Sequence, residues 1–448
     1  MIQPFDLIVR GGTLLLPSGR VRTDVGIRDG RLATIGDLSG AGAAETFDAT
    51  GLHVLPGVID TQVHFREPGL THKEDLTSGT AAAVLGGITA VFEMPNTKPD
   101  TLTADDLQDK LQRADGRARC HVAFFVGAAK ENLDQLAEIE QLPGCAGAKV
   151  FMGSSTGSLL VEEDELLERV LRAGRRRVAV HAEDEPRLRE RFSLVEESTS
   201  PADHPRWRDV EVAVRATKRL LALARHTGRP VHVLHVSTAD EMSLLAEARA
   251  VATVEVTPQH LTLAAPECYE RLGTLAQMNP PIRNTSHREG LWRAVDAGIV
   301  DVIGSDHAPH TRKEKSKPYP ASPSGMPGVQ TLLPLLLDHC AAGRLTLERL
   351  VDLTSAGAAR IYGIAAKGRI AVGYDADLTL VDITATREIT GSWLASRCGW
   401  SPFEGMKVTG WPMATIVGGR IAMREGQLLG EPAGRPIRFI GTLASEPG

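Results

Sequence analysis

Asp60, Gln62, His64 and Arg66 alternate along one stretch of the chain, residues 57–69. Alternate residues of an extended chain share a face, so this stretch brings a carboxylate, an amide, an imidazole and a guanidinium into one small volume. The residues leading in, 54–59, are mostly apolar and β-prone, as in a strand buried on both faces. A strand end that turns polar on meeting solvent accounts for one such histidine. It does not account for repetition. Lys149 in 147–152, His181 in 178–183, His235 in 232–238 and Asp306 in 304–310 each belong to or follow another apolar run. Imidazole nitrogens with a carboxylate are a usual donor set for Zn2+, so the clusters read jointly as a metal site. His232 stands three residues from His235 and faces the other side of an extended strand, which makes it structural. His260, after Thr257-Pro258-Gln259, is left outside the site.

Rigid elements must position these groups, and between residues 56 and 360 apolar runs alternate with helix-length segments. Strands are expected at 54–59, 89–94, 120–126, 148–152, 178–181, 231–235, 253–256 and 300–305, with helices at 76–85 and 104–114. Repeated units of this number and total length predict an α/β architecture, a parallel (β/α)8 TIM-like barrel, in which reactive residues occupy the C-terminal strand ends. The chain ends read differently. Asp6 to Arg10 is followed by Gly11-Gly12, and Asp24 to Arg28 by Asp29-Gly30, which are hairpin signals. The same pattern returns in 367–382 and 414–422. The expectation is one small composite β-sandwich domain built from both termini, 1–55 with 365–448, and a barrel over 56–364. Residues 311–328, rich in Lys, Pro, Ser and Gly, predict a loop with little to anchor it that orders over bound ligand.

With 448 residues the chain can bury a large core, and at 42% hydrophobic and 24% charged it has an ordinary soluble composition. A net charge of -6 gives no electrostatic case for nucleic acid or an anionic membrane. No signal-peptide pattern opens the sequence and no run approaches a membrane span. The five cysteines are scattered, with no Cys-x-x-Cys, which argues against a disulfide framework and a Cys-rich zinc site. A cytoplasmic location is expected.

Several separate motifs now carry a resemblance. They are residues 60–69, Glu93-Met94-Pro95-Asn96-Thr97, 148–152, His181-Ala182-Glu183-Asp184, His235-Val236-Ser237-Thr238, 306–310, 373–378 and 401–405. Together they resemble the amidohydrolase superfamily, within it the dihydroorotase and cyclic-amidase branch, over nearly the whole chain. The resemblance implies that Lys149 carries a carbamate formed from CO2 and bridges two metal ions. A desolvated amine loses its proton more readily and can add CO2, so the chemistry is sound. His181 and His235 then complete one metal site, and His64 and Asp306 the other. Asp306 is the implied catalytic group, taking the proton of water and returning it to the leaving nitrogen. Arg66 can grip a carboxylate with two parallel hydrogen bonds, and Asn96 offers donor and acceptor to an amide-containing ring. Asn279 and His310 are further substrate-binding residues by resemblance.

One position departs from the pattern. Gln62 stands where the family usually has the first His of His-x-His, and a carboxamide is a weaker, neutral ligand for Zn2+. One or two zinc ions are therefore expected. The resemblance implies reversible hydrolysis of L-dihydroorotate to N-carbamoyl-L-aspartate in pyrimidine synthesis, by a homo-oligomer with a small-molecule substrate. The enzymatic alternative is another cyclic amidase, acting on a hydantoin, dihydropyrimidine or allantoin ring. A rival of a different class is a catalytically silent subunit that scaffolds aspartate transcarbamoylase, for which Gln62 is the support.

Overall fold

Every residue of the strands Val58–Val63, Ile88–Glu93, His121–Gly127, Cys145–Phe151, Val178–His181, Val231–Val233, Ala252–Val256 and Val302–Ile303 is buried. In the computed structural model, which describes residues 4–155 and 159–445, these eight form one parallel sheet in chain order. Strands covered on both faces need near-continuous apolar sequence, which is what these runs supply. The sheet curls into a barrel. Val63 bridges His307, and the His64 N–H donates to the His307 carbonyl at 2.7 Å, so the barrel nears closure beside the polar residues.

The helices Leu76–Leu85 and Ala104–Ala114 form where the sequence places them. Each is started by a side-chain cap: Asp75 accepts from the Ser78 N–H and Thr103 from the Asp106 N–H. The opposite end of the barrel is plugged. Val122, near the start of its strand, donates to the Arg435 carbonyl at 3.1 Å and accepts from Ile437 at 2.8 Å. Phe439 follows and packs on Phe92 at 5.7 Å, and Phe92 meets Tyr362 at 5.0 Å. Access is left at the C-terminal strand ends.

The second sheet has nine strands and draws on both termini. Phe5–Leu16, Gly19–Arg28 and Arg31–Gly36 form one antiparallel run, with Ala43–Asp48 parallel to the first. Leu378–Glu388, Lys407–Val417, Arg420–Arg424 and Gln427–Leu428 form another. His53–Pro56 joins them, parallel to Phe5–Leu16 and antiparallel to Leu378–Glu388. Gly57 alone separates it from the first barrel strand. A Cβ there would lie 2.2 Å from Thr89 Oγ1 and 2.8 Å from Asp377 Cβ, so the two layers approach too closely for any side chain. Asp377 ties the joint. Its buried carboxylate meets His121 Nε2 at 3.0 Å and the Gly418 N–H at 2.8 Å, and ion-pairs with Lys367.

Asp29-Gly30 is the expected tight turn, with φ of 51° and 70°. Gly11-Gly12 is not a turn. The strand Phe5–Leu16 runs straight through it, with a register shift between Val9 and Gly12, so the extra residue is absorbed as a β-bulge. In 367–382, read as strand with glycine turns, Gly368 and Gly373, at φ of 84° and 89°, turn the chain and the strand begins at Leu378. Residues 1–3, 156–158 and 446–448 lie outside the described residues, the first and last of these falling in the expected terminal unit.

The segment 311–328 is better anchored than its composition implies. Thr311 and Glu314 cap the short helix Arg312–Lys315, and buried Lys315 donates to the Gln277 and Pro323 carbonyls, each at 2.9 Å. Buried Tyr319 lies against His204. The five cysteines are free thiols, and among the described residues no helix is long and apolar enough to cross a membrane.

Candidate active site

His64 follows the strand Val58–Val63, Asn96 follows Ile88–Glu93, and His235 and Asp306 stand just past Val231–Val233 and Val302–Ile303. Lys149 and His181 lie in the last residues of their strands. With Gln62, Arg66 and Asn279 they line one cavity. Arg66, His235 and Asp306 hold left-handed backbone there, at φ of 62°, 39° and 43°. Only six described non-glycine residues have positive φ, so half of them belong to this cavity. Each such residue costs on the order of 1–3 kcal/mol and persists only where its surroundings over-determine it.

The histidines stand in two arrangements. His181 Nε2 meets Glu183 Oε2 at 2.9 Å, and Arg208 holds that same oxygen at 2.7 Å. An ionised carboxylate only accepts, so Nε2 carries the proton and His181 Nδ1 is a lone pair. Burial would raise the Glu183 carboxyl, but Arg208 and His181 hold it well below the usual range. His181 Nδ1 faces His235 Nε2 at 3.0 Å, and His235 Nδ1 is buried without a protein partner. A neutral ring has one proton for two nitrogens, so one His235 nitrogen is left with an unanswered lone pair.

The second arrangement is similar. His64 Nδ1 meets Asn96 Oδ1 at 2.8 Å, which makes Nε2 a lone pair, and that atom faces Asp306 Oδ1 at 3.2 Å. Burial lowers His64 to about 4, against the pull of Asp306, so the ring is neutral at pH 7. Two acceptors that close repel unless a cation stands between them. Gln62 Nε2 donates to the same Asp306 oxygen at 2.9 Å and leaves its own Oε1 buried and unpartnered. Burial also lowers Lys149 to about 7. Its Nζ rests 4.4 Å from the Phe151 ring centroid and makes no ion pair among the described residues.

This donor set fits a metal cation. Among the described residues no three or more His, Cys, Asp and Glu side chains surround one point. The donors instead converge as His181 with His235 and His64 with Asp306, and Lys149 and Gln62 line the same cavity.

Residues 53–422 match the amidohydrolase family. The chain belongs to that family. It is 38% identical to a dihydroorotase of Halobacterium salinarum over 429 residues, 95% of this chain and 98% of the relative. An allantoinase of Rubrobacter xylanophilus is also 38% identical, over 98% of both chains. The solved structure of an L-hydantoinase (dihydropyrimidinase) from Arthrobacter aurescens superposes with a TM-score of 0.92 at 30% identity, over 97% of this chain and 99% of that one. This amidohydrolase is a hydrolase of cyclic amides, in a family whose members are typically metal-dependent.

Arg66 of this amidohydrolase is only 1% exposed. Its Nε donates to the Pro309 carbonyl at 3.2 Å, while Nη1 is buried with no partner. Burial lowers the guanidinium to about 10, which leaves it charged at neutral pH. Asn279 is steadied by His204, whose Nε2 lies 2.9 Å from its Oδ1. His310 does not line the cavity; it sits behind Arg66, with Nε2 3.0 Å from the Ser324 carbonyl. His232 is buried against Thr253 at 2.8 Å, and His260 meets the Pro280 carbonyl at 3.1 Å, both away from the cavity wall. The sequence reading missed Glu183, although it stands two residues from His181, and it missed the wall formed by Phe151, Ser155, Ser324 and Gly325.

Proposed function

We propose that this amidohydrolase is a dihydroorotase, interconverting L-dihydroorotate and N-carbamoyl-L-aspartate. The observation that carries the reading is Arg66, a buried guanidinium on the cavity wall with an unpartnered Nη1. A buried charge without a counter-ion is destabilising, and a substrate carboxylate supplies the missing partner. Asn96 and Asn279 on the same wall offer amide donors and acceptors to the ring.

His181, His235, His64, Asp306 and a carbamate on Lys149 are the groups that would hold one or two zinc ions. When bound, such ions supply Lewis acidity towards a carbonyl oxygen and towards water. Asp306 takes the proton from the attacking water, and the same proton passes to the ring nitrogen as the C–N bond breaks. The low pKa of buried Lys149 favours the neutral amine that CO2 requires. Glu183 holds His181 in one tautomer, and Asn96 does the same for His64.

A second reading, a cyclic amidase for a neutral ring, is supported by the allantoinase and L-hydantoinase relatives. Arg66 counts against it, since such rings offer no carboxylate. Zinc-loaded protein supplied with L-dihydroorotate and with N-carbamoyl-L-aspartate tests the proposal through ring opening and closure. Turnover in both directions supports it. Turnover of allantoin or hydantoin alone transfers the assignment to the second reading. No turnover of any ring favours a silent subunit assembled with aspartate transcarbamoylase.

A further inference from the structure

Arg66 donates from Nε to the Pro309 carbonyl, yet its Nη1 has no partner although acceptors are at hand. His310 Nε2 is 3.4 Å from Arg66 Nη2, and Glu314, after Asp306 and Glu93, is among the carboxylates that attract the same guanidinium. His310 and Glu314 are both engaged elsewhere, and by one residue. Lys73, 8% exposed, places Nζ 3.1 Å from His310 Nδ1 and 3.1 Å from Glu314 Oε1. An ammonium has donors and no lone pair, so His310 Nδ1 must accept. The ring proton then lies on Nε2 and points to the Ser324 carbonyl at 3.0 Å, which leaves no lone pair facing Arg66.

Glu314 is fixed in place as well. It caps Thr311, with contacts of 3.0 Å to the backbone N–H and 2.9 Å to the hydroxyl. His72 Nε2 approaches it at 3.4 Å from the exposed side. The Trp400 Nε1–H binds the His310 carbonyl at 2.7 Å, which holds the imidazole's backbone in register.

We propose that Lys73 is a positioning residue that reserves Arg66 for an anionic group of the substrate, by occupying the His310 lone pair and the Glu314 carboxylate. The inference deepens the dihydroorotase proposal and rests on its reading of Arg66. In Lys73→Met, His310 is free to adopt the Nδ1–H tautomer and accept from Arg66, and Glu314 loses its nearest cation. Both changes draw the guanidinium away from a substrate carboxylate.

The test combines kinetics with NMR of the zinc-loaded protein labelled with 15N in its histidine rings. Lys73→Met should raise KM for L-dihydroorotate about tenfold, about 1.4 kcal/mol of binding, with kcat changed far less. Lys73→Met/Glu314→Gln should recover part of that loss, which a merely structural role for Lys73 does not allow. The His310 ring should read as Nε2–H in the wild type and as Nδ1–H in Lys73→Met. An unchanged tautomer, or a KM increase that Glu314→Gln leaves untouched, overturns the inference. Should the wild type fail to turn over dihydroorotate, the functional proposal falls, and the tautomer comparison alone decides the role of Lys73.

Discussion

Glu183 and Gln62 act on the histidine and aspartate donors from opposite directions. Glu183 fixes the His181 proton on Nε2 and so frees Nδ1 for a cation. Glu183→Gln should weaken metal binding about 10–100-fold, the usual loss for a group that orients a ligand, read by titration of the apoprotein with zinc. Gln62 donates its amide N–H to Asp306, where a histidine in the family pattern offers a lone pair. The His64 and Asp306 positions should therefore lose zinc before the His181 and His235 positions. Gln62→His should delay that loss in graded dialysis followed by elemental analysis, and identical loss curves would remove Gln62 from the account. His64, Lys149, His181, His235 and Asp306 were legible in the sequence because each is polar beside an apolar strand. The role of Glu183 was not, because only the folded chain brings Arg208, 25 positions away, against it.

At the scale of elements, seven of the eight barrel strands and the first two helices were legible, because strands buried on both faces need unbroken apolar runs. The expected strand 54–59 instead splits at Gly57, its first half pairing in the nine-stranded sheet and only Val58-Ile59 in the barrel. The errors fall where one signal has two outcomes. Glycine relieves φ in a turn and in a bulge alike, so Gly11-Gly12 and Asp29-Gly30 both read as turns until the pairing is known. The anchoring of the segment 311–328 is hidden in the sequence for another reason. Its anchors are hydrogen bonds from Lys315 to backbone carbonyls, and composition does not reveal these. Lys315→Met leaves the Pro323 carbonyl without its donor and the Gln277 carbonyl with the Gly325 N–H alone, a loss of about 1–3 kcal/mol where the orphaned group stays buried. Trypsin should then cut after exposed Lys313 several-fold faster than in the wild type, whose segment is held. Equal cleavage rates would show that Lys315 is not the anchor.

For the whole molecule, the joint between the nine-stranded sheet and the barrel runs through Asp377. Burial would raise its carboxyl, but His121 and Lys367 hold it well below the usual range. A carboxylate lowered on folding stabilises the folded state above its unfolded pKa of about 4, and that contribution is lost as pH falls through the folded value. Asp377→Asn should cost about 3–5 kcal/mol at pH 7, as for a buried ion pair broken on one side. In thermal melts the gap to wild type should be widest at neutral pH and narrow below about pH 4. A gap independent of pH would deny Asp377 its ionic role. The joint matters because it seats the closed end of the barrel and leaves the other end to Arg66 and the histidines. The most direct test of the central claim, that this cavity is built for a ring bearing a carboxylate, is the ratio of kcat/KM for L-dihydroorotate to that for hydantoin. It should be measured in wild type and in Arg66→Met. The ratio should be large in the wild type and fall by about 30-fold or more in the variant, equivalent to at least about 2 kcal/mol for a lost buried charge partner. A wild-type enzyme that prefers hydantoin, or a ratio unmoved by Arg66→Met, would contradict it.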